Sequence, residues 1–238
     1  INGNGLTGQG VVYLYNQQYI EINNIEITNC PGGPSDNSFF VGLYNDTAAV
    51  NPNPLGADRR GVMVAIDNYG TASHIWLKNL DIHHIKGQLG SGQTLVNGAI
   101  PKRTGGIYFA VLDTVETTSK KSRFHDVMID SCNINYCENI GIAFDNEWNV
   151  YYPGGQNSSL SADRTEYTNW YDRRFSSVII RNNVLHHIGK NAMFIRCTDS
   201  TCLVEKNVCY ETALGTTGNT IVTARAKGTV FQYNEGYY

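Results

Sequence analysis

The chain has 238 residues, with 18 Lys or Arg and 21 Asp or Glu, so its formal net charge at pH 7 is −3. A charge this close to balance provides no basic surface for nucleic acid or an anionic membrane, and no apolar run approaches the length of a membrane span. We therefore predict neither a nucleic-acid partner nor a membrane, and one domain over residues 1–238.

Six short stretches with apolar residues at alternate positions recur along the chain, most of them beginning at a glycine. They cover residues 10–15, 61–67, 106–112, 141–147, 192–196 and 220–224. Alternation with a period of two predicts short strands with one face buried and the other outward. We refer to them as the first strands.

A second pattern follows each first strand: an alternating apolar run, an Asn or Ser, and another alternating run. It covers residues 20–30, 75–85, 127–137, 178–188, 203–213 and 230–238. Aligned without gaps, these segments share one column that contains Asn24, Asn79, Ser131, Asn182, Asn207 and Asn234. Asn tolerates the unusual backbone angles of a bend, and stacked Asn side chains can bond one another.

This periodicity predicts an all-β solenoid of about six coils, with three strands per coil and an internal Asn ladder. The alternative is an antiparallel β protein with unrelated Asn-rich turns, which would not need one column to keep its residue type. Longer segments (31–60, 88–104, 114–122 and 148–174) lie only beside first strands. We expect them to form the walls of a groove over the first-strand sheet.

The coil pattern, the Asn column and several short segments resemble right-handed parallel β-helix proteins of the pectin-lyase-like type. The segments are 60–64 (RGVMV), 74–83 (HIWLKNLDIH), 124–132 (FHDVMIDSC) and 230–235 (VFQYNE). The resemblance implies a secreted, periplasmic or cell-surface protein with a polysaccharide or oligosaccharide partner and a site in the groove. Polygalacturonase motifs such as Gly-His-Gly and Arg-Ile-Lys are absent, so the resemblance concerns fold rather than one reaction.

The sixth repeat stops at Tyr238. A strand stack that ended there would leave an open edge, which natural proteins cover. We therefore expect the chain to be part of a longer stack, or to be capped by another segment or a partner chain.

The outward positions of the first strands form three rows with few charges. The rows are Met63, Tyr108, Ala143, Phe194 and Val222; Ala65, Ala110, Asp145, Arg196 and Ala224; and Asp67, Leu112, Glu147, Thr198 and Ala226. Asp145 and Glu147 should lie about 7 Å apart, with Arg196 about 4.8 Å from Asp145. The small alanines of the second row should leave space for a ligand over these charges.

Two carboxylates at this spacing suit glycoside hydrolysis, in which one is the acid and the other the nucleophile or base. Arg196 would keep one of them ionised. We therefore predict Asp145, Glu147 and Arg196 as catalytic residues, with Asp67 as a further carboxylate. The alternative is an Asp–Arg surface pair of little energetic value.

Aromatic faces at a groove edge suit sugar rings, and residues 148–171 are rich in them, although about half should pack the loop instead. Lys190 and Asp199 lie at the two ends of the Arg196 strand. The predicted substrate-binding residues are Tyr108, Trp148, Tyr151, Tyr152, Trp170, Phe194, Lys190 and Asp199.

Histidines and cysteines are assigned structural roles. His83 and His186 share one outward column two coils apart, about 9.6 Å, which is too far for one ion, so we predict no metal site and turn-stabilising histidines. Cys132 aligns with Ile25 and Leu80 in the repeats, which indicates a core position. Cys197 and Cys202 flank a short turn and could form a local disulfide.

We therefore expect a carbohydrate-active enzyme, a glycoside hydrolase that needs no cofactor. One alternative is a polysaccharide lyase acting on a uronate, with Lys190, Arg196 or Tyr108 as base and Ca²⁺ as a possible cofactor. Another is a non-catalytic carbohydrate-binding or fibre-forming β-helix.

Overall fold

The computed structural model describes residues 1–32, 39, 58–87, 104–112, 120–146, 173–215 and 218–237. Within these ranges the chain forms strands and no helix, so it contains no helical membrane span there.

The first nine strands are β1 (Gly10–Tyr15), β2 (Ile20–Asn23), β3 (Glu26–Asn29), β4 (Arg60–Ile66), β5 (Thr71–Lys78), β6 (Asp81–Ile85), β7 (Gly105–Val111), β8 (Arg123–Asp130) and β9 (Asn133–Cys137). The others are β10 (Ile140–Asn146), β11 (Ser176–Arg181), β12 (Val184–Ile188), β13 (Asn191–Arg196), β14 (Leu203–Glu205), β15 (Val208–Thr212), β16 (Ile221–Ala224), β17 (Val230–Gln232) and β18 (Glu235–Tyr237).

Every third strand lies in the same sheet. The first sheet has the order β1-β4-β7-β10-β13-β16, the second β17-β14-β11-β8-β5-β2, and the third β18-β15-β12-β9-β6-β3. Neighbouring strands are parallel in all three sheets. Each coil contributes one strand to each sheet, and the chain winds through about six coils as a right-handed parallel β-helix. The predicted fold class is confirmed.

Inward side chains from the three sheets fill the core in stacks that follow the coils. Phe109 and Phe144 are neighbours in the first sheet, and their parallel rings lie 4.6 Å apart between centroids. The edge of the Phe124 ring packs against Phe109 from the second sheet. All three side chains are fully buried, and each buried aromatic of this size contributes about 1.5–3 kcal/mol of hydrophobic free energy.

A glycine stack brings the third sheet close to the first. Gly61, Gly106 and Gly141 occupy equivalent positions in successive coils. A Cβ atom on Gly106 would lie 2.6 Å from Ile134 Cγ2 and 2.8 Å from the Gly141 carbonyl oxygen. Any side chain here would collide with the core, so the corner requires glycine.

The predicted Asn column is correct in four coils and wrong by one residue in the last two. Ile180 pairs with Val204, which places Asn207 beside Asn183 rather than beside Asn182. The inward apolar residues Val204 and Cys209 impose this register because they are buried, and a slip of one residue would turn both outward. Asn234 follows Asn207 in the next coil.

The internal Asn ladder is therefore made of Asn183, Asn207 and Asn234. Asn207 Oδ1 accepts from the Asn183 backbone N–H at 3.1 Å and from Asn183 Nδ2 at 2.9 Å. Asn207 Nδ2 donates to the Ile180 carbonyl at 3.0 Å and to Asn234 Oδ1 at 2.9 Å. Each amide thus satisfies buried backbone groups of the preceding coil as well as the next amide.

The residues just before the ladder column form the bend between the second and third sheets. They share a left-handed backbone, with φ near 50–60°, at Asn24, Asn79, Ser131, Asn182, Lys206 and Tyr233. Asn24, Asn79 and Asn182 are exposed. Their prevalence therefore reflects the tolerance of Asn for this conformation.

All six cysteines are buried and none forms a disulfide. The suggested bridge between Cys197 and Cys202 is absent, whereas the core position of Cys132 is confirmed. Burial raises the pKa of Cys202 to about 11, so this thiol carries little thiolate at neutral pH and is a poor nucleophile.

We expect Asn207→Ala to lower the free energy of unfolding by about 2–4 kcal/mol, because it leaves several buried backbone groups without partners. Chemical denaturation of the intact protein measures the change. The control is Asn182→Gly, which removes an exposed amide while Gly accommodates φ of 56°; it should cost less than about 1 kcal/mol. Equal losses would contradict the assigned ladder.

Candidate active site

The outer face of the first sheet carries the predicted rows in register. In the first row, Met63, Tyr108, Ala143, Phe194 and Val222 are successive pairing partners, and Tyr13 extends the row into the first coil. In the second row, Ala65 pairs with Ala110, Ala110 with Asp145, and Arg196 with Ala224. Two of the three predicted rows are confirmed. In the third row, Glu147 lies outside the described residues and Thr198 is fully buried.

Asp145 and Arg196 meet across the β10–β13 pair, as predicted from their spacing. Arg196 Nη1 donates to Asp145 Oδ1 at 2.7 Å, and the Asn146 backbone N–H donates to the same oxygen at 2.9 Å. The Arg196 side chain is 10% exposed and the Asp145 side chain is 12% exposed. Among the described residues, both hydrogen bonds to the Asp145 carboxylate are accepted by Oδ1.

The environment of Arg196 stabilises its charged form. Burial is the largest single influence and lowers the pKa of the guanidinium, but Asp145, Cys197 and Tyr108 together outweigh it, and the net effect raises the pKa above its usual value. The guanidinium carbon also lies 5.3 Å from the centroid of the Phe194 ring, within cation–π range. Arg196 is therefore a fixed cation beside Asp145.

The face around this pair is apolar and covered. Tyr108 is 3% exposed, Phe194 is 7% exposed, and Ala65 and Ala110 are fully buried. With Met63, Ile140 and Ala143 they form an apolar cluster separate from the main core. The expected open space above the alanines is not seen, because Ala65 and Ala110 are fully buried and belong to the same apolar cluster as Tyr108 and Phe194.

The remaining predicted charged residues lie apart from the pair. Asp67 follows β4, two strands from Asp145, and its backbone exchanges hydrogen bonds with the Asn16 amide. Lys190 immediately precedes β13 and is buried, which lowers its pKa. Asp199 Oδ1 accepts from the backbone N–H and the hydroxyl of Thr201, so it supports the turn after β13.

Five predicted site residues lie outside the described part of the chain, and their roles stay predictions. They are Glu147, Trp148, Tyr151, Tyr152 and Trp170.

Arg60 is a buried cation of this sheet that the sequence rows missed. It is 3% exposed, its guanidinium carbon lies 4.9 Å from the Tyr108 ring centroid, and Nη1 donates to the Gly8 carbonyl. The predicted first strand began at Gly61 and so excluded Arg60, although an Arg directly before an apolar strand could have indicated it.

Among the described residues, potential metal ligands cluster on the third sheet and not on this face. The group is His186, His187 and Glu211. The predicted absence of a metal site rested on the separation of histidines two coils apart, whereas this group combines two adjacent histidines with a glutamate of the next coil.

We expect Arg196→Met to lower the free energy of unfolding by about 3 kcal/mol or more, because it leaves the Asp145 charge buried without its partner. The double variant Asp145→Leu/Arg196→Met should recover most of the loss. Denaturation curves for each single variant and the double variant measure the coupling.

A matched control exists on the second sheet. Arg181 and Asp130 are also 51 residues apart on neighbouring coils, with Nη2 2.8 Å from the carboxylate, but Arg181 is 39% exposed. Arg181→Met should cost less than about 1 kcal/mol, because Asp130, itself 14% exposed, keeps its hydrogen bonds from Asn182 and Ser131. If it costs as much as Arg196→Met, burial does not set the strength of these pairs.

Comparisons with known proteins point to one group of enzymes. No protein-family model matches the chain. It is 26% identical over 251 residues to the lacto-N-biosidase of Bifidobacterium longum subsp. longum, in an alignment that covers 94% of this chain and 15% of that protein.

Two crystal structures of the GH136 lacto-N-biosidase from Eubacterium ramulus, a selenomethionine derivative and the native protein, have similar folds. Each gives a TM-score of 0.62, with 18% and 20% sequence identity, over 96% and 95% of this chain and 39% of theirs. With sequence identities this low, the comparison shows that the two proteins share a fold and shows nothing further about this chain. The chain therefore resembles a β-helical part of lacto-N-biosidases and spans much less than their full length.

Proposed function

We propose that this chain is the β-helical part of a glycoside hydrolase that cleaves an oligosaccharide of the kind a lacto-N-biosidase acts on. The observation that carries the proposal is the buried Asp145–Arg196 pair on the outer face of the first sheet. Similarity to a lacto-N-biosidase over 94% of the chain supports the same reaction class. Buried and paired ionisable groups are concentrated at functional sites.

The proposed reaction uses two carboxyl groups. Asp145 acts as nucleophile or base through Oδ2, while Arg196 and the Asn146 N–H hold Oδ1. Glu147, two residues further along the chain, is proposed on sequence grounds to donate a proton to the oxygen of the leaving sugar. The glycosidic C–O bond breaks, and water supplies the hydroxyl of the new reducing end.

The aromatic residues divide into two proposed roles. Tyr108 and Phe194 are buried, so they shape the surroundings of Asp145 and Arg196 instead of offering an open ring face. Stacking on a sugar falls to Trp148, Tyr151, Tyr152 and Trp170, which are proposed as substrate contacts on sequence grounds. A secreted or cell-surface location is part of the same proposal.

One observation favours the lyase as a second candidate. Burial lowers the pKa of Lys190, which would make its amine a better base for removing a proton beside a uronate carboxylate. Arg196 does not suit that role, because its pKa is raised. Elimination leaves a double bond in the product, and hydrolysis does not.

We expect the intact protein to release 4-nitrophenol from 4-nitrophenyl lacto-N-bioside, and Asp145→Asn to lower kcat by about 10²–10⁴-fold because it removes a reacting carboxylate. Colour release measures the rate, with the galactoside and the N-acetylglucosaminide as single-sugar controls. The matched variant Asp130→Asn removes a carboxylate from the second sheet and should retain activity.

Other outcomes separate the alternatives. Ultraviolet-absorbing products from a uronate polymer, lost in Lys190→Met, would favour elimination. Sugar binding without turnover would favour a carbohydrate-binding role. Full activity in Asp145→Asn, with the variant folded as judged by circular dichroism, would contradict the assigned site.

A further inference from the structure

Two consecutive histidines of the third sheet point to the same side of their strand. Side chains of adjacent strand residues normally lie on opposite faces. His187 has a left-handed backbone, with φ of 51°, and this extra residue brings its ring beside that of His186. Ile188 then returns to the core, where it is fully buried. The local conformation therefore creates a histidine pair on the outer face.

A carboxylate from the next coil completes the group. The Nδ1 atoms of His186 and His187 lie 2.7 Å apart, and Glu211 Oε2 lies 3.0 Å from His187 Nδ1. Glu211 also has a left-handed backbone, with φ of 48°, which turns it outward at the same corner. The potential ligand atoms of all three residues lie within 4.8 Å of one another.

We propose that His186, His187 and Glu211 bind a divalent transition-metal ion of the zinc class. Two imidazole nitrogens and one carboxylate oxygen form a recognised zinc-ligand set, with the remaining position open to water. Tetrahedral coordination needs ring nitrogens about 3.3 Å apart, so the two rings must separate slightly from their present contact. The ion replaces the proton that one Nδ1 atom otherwise donates to the other.

Stacked aromatic rings hold both histidines in place. The His187 ring stacks on Tyr136 of the preceding coil at 4.5 Å, and the His186 ring stacks on Tyr210 of the following coil at 4.8 Å. Rings fixed in this way lose little rotational freedom when they bind an ion. All three proposed ligands are partly exposed, so the ion can enter from solvent.

A second histidine pair on the same sheet provides an internal comparison. His83 and His84 also have Nδ1 atoms 2.7 Å apart, and His84 has φ of 53°. Here the carboxylate of Glu26 contacts His83 through Nε2, on the other side of the ring. Tyr136 occupies the position that corresponds to Glu211. Among the described residues, a third ligand close to both nitrogens is found at His186–His187 and not at His83–His84.

The proposed ion would join two coils. His186 and His187 belong to β12, and Glu211 belongs to the neighbouring strand β15. An ion that binds only the folded chain stabilises it. The site lies on the third sheet, whereas Asp145 and Arg196 lie on the first, so the proposal does not depend on the proposed hydrolase activity.

Zinc binding to the intact, metal-stripped protein tests the proposal, with ZnCl₂ as the probe in calorimetry. Wild type should bind Zn²⁺ at this site, and both Glu211→Gln and His187→Asn should raise Kd by more than about tenfold. Asn keeps the left-handed backbone accessible at position 187. The matched control is Glu26→Gln, which removes the carboxylate of the other histidine pair and should leave Kd unchanged.

Two further measurements test whether the variants stay folded and whether cysteine thiols bind the ion instead. Zn²⁺ should raise the unfolding temperature of wild type and not of Glu211→Gln. Co²⁺ should give visible bands of a nitrogen and oxygen site without a thiolate charge-transfer band. The proposal is overturned if wild type binds no Zn²⁺, if Glu211→Gln binds as tightly, or if the Co²⁺ spectrum shows cysteine ligation.

Discussion

Parallel, in-register pairing between successive coils determines which residues of this protein become neighbours. Asp145 and Arg196 are 51 residues apart in sequence, as are Asp130 and Arg181, and both pairs meet because their strands are adjacent in a sheet. The same pairing aligns Asn183, Asn207 and Asn234 for the ladder. A loss of register in one coil would therefore disturb the core, the ladder and the candidate site together.

Much of the fold was predictable from the sequence because strand alternation reports directly on which face is buried. The Gly61, Gly106 and Gly141 starts aligned the first strands correctly. The Asn column failed in the last two coils because residue type was matched across two different positions. At the bend, Asn is favoured because it tolerates a left-handed backbone, whereas at the next position its side chain bonds buried backbone groups. Sequence similarity alone does not distinguish these two reasons for an Asn.

The candidate site was predictable in position and less so in environment. The alternation of the first strands predicted that the Asp145 and Arg196 side chains point outward and meet, and that prediction is confirmed. They do not state what packs around those side chains, so the burial of Tyr108 and Phe194 was missed. The histidine group was missed for a related reason. The gapless alignment of residues 203–213 with 178–188 is wrong by one residue, so it placed Glu211 beside His186 instead of His187. Strict alternation also hides the extra residue that puts two adjacent histidines on one face.

The contrast between the two Arg–Asp pairs favours a role for the buried one beyond holding strands together. In the Arg181–Asp130 pair the carboxylate is also largely buried, at 14% exposed, but the arginine is 39% exposed and keeps much of its hydration. Arg196 and Asp145 have a similar nitrogen–oxygen distance, 2.7 Å against 2.8 Å, but both of their side chains are nearly excluded from water. Burying two charges costs several kcal/mol before their attraction offsets it. Apolar residues would suit this face at least as well for stability, because Ala65, Ala110 and Ala143 already line it. A carboxylate buried there at that cost, with Oδ1 held by Arg196 and the Asn146 N–H, supports the proposed role of Asp145.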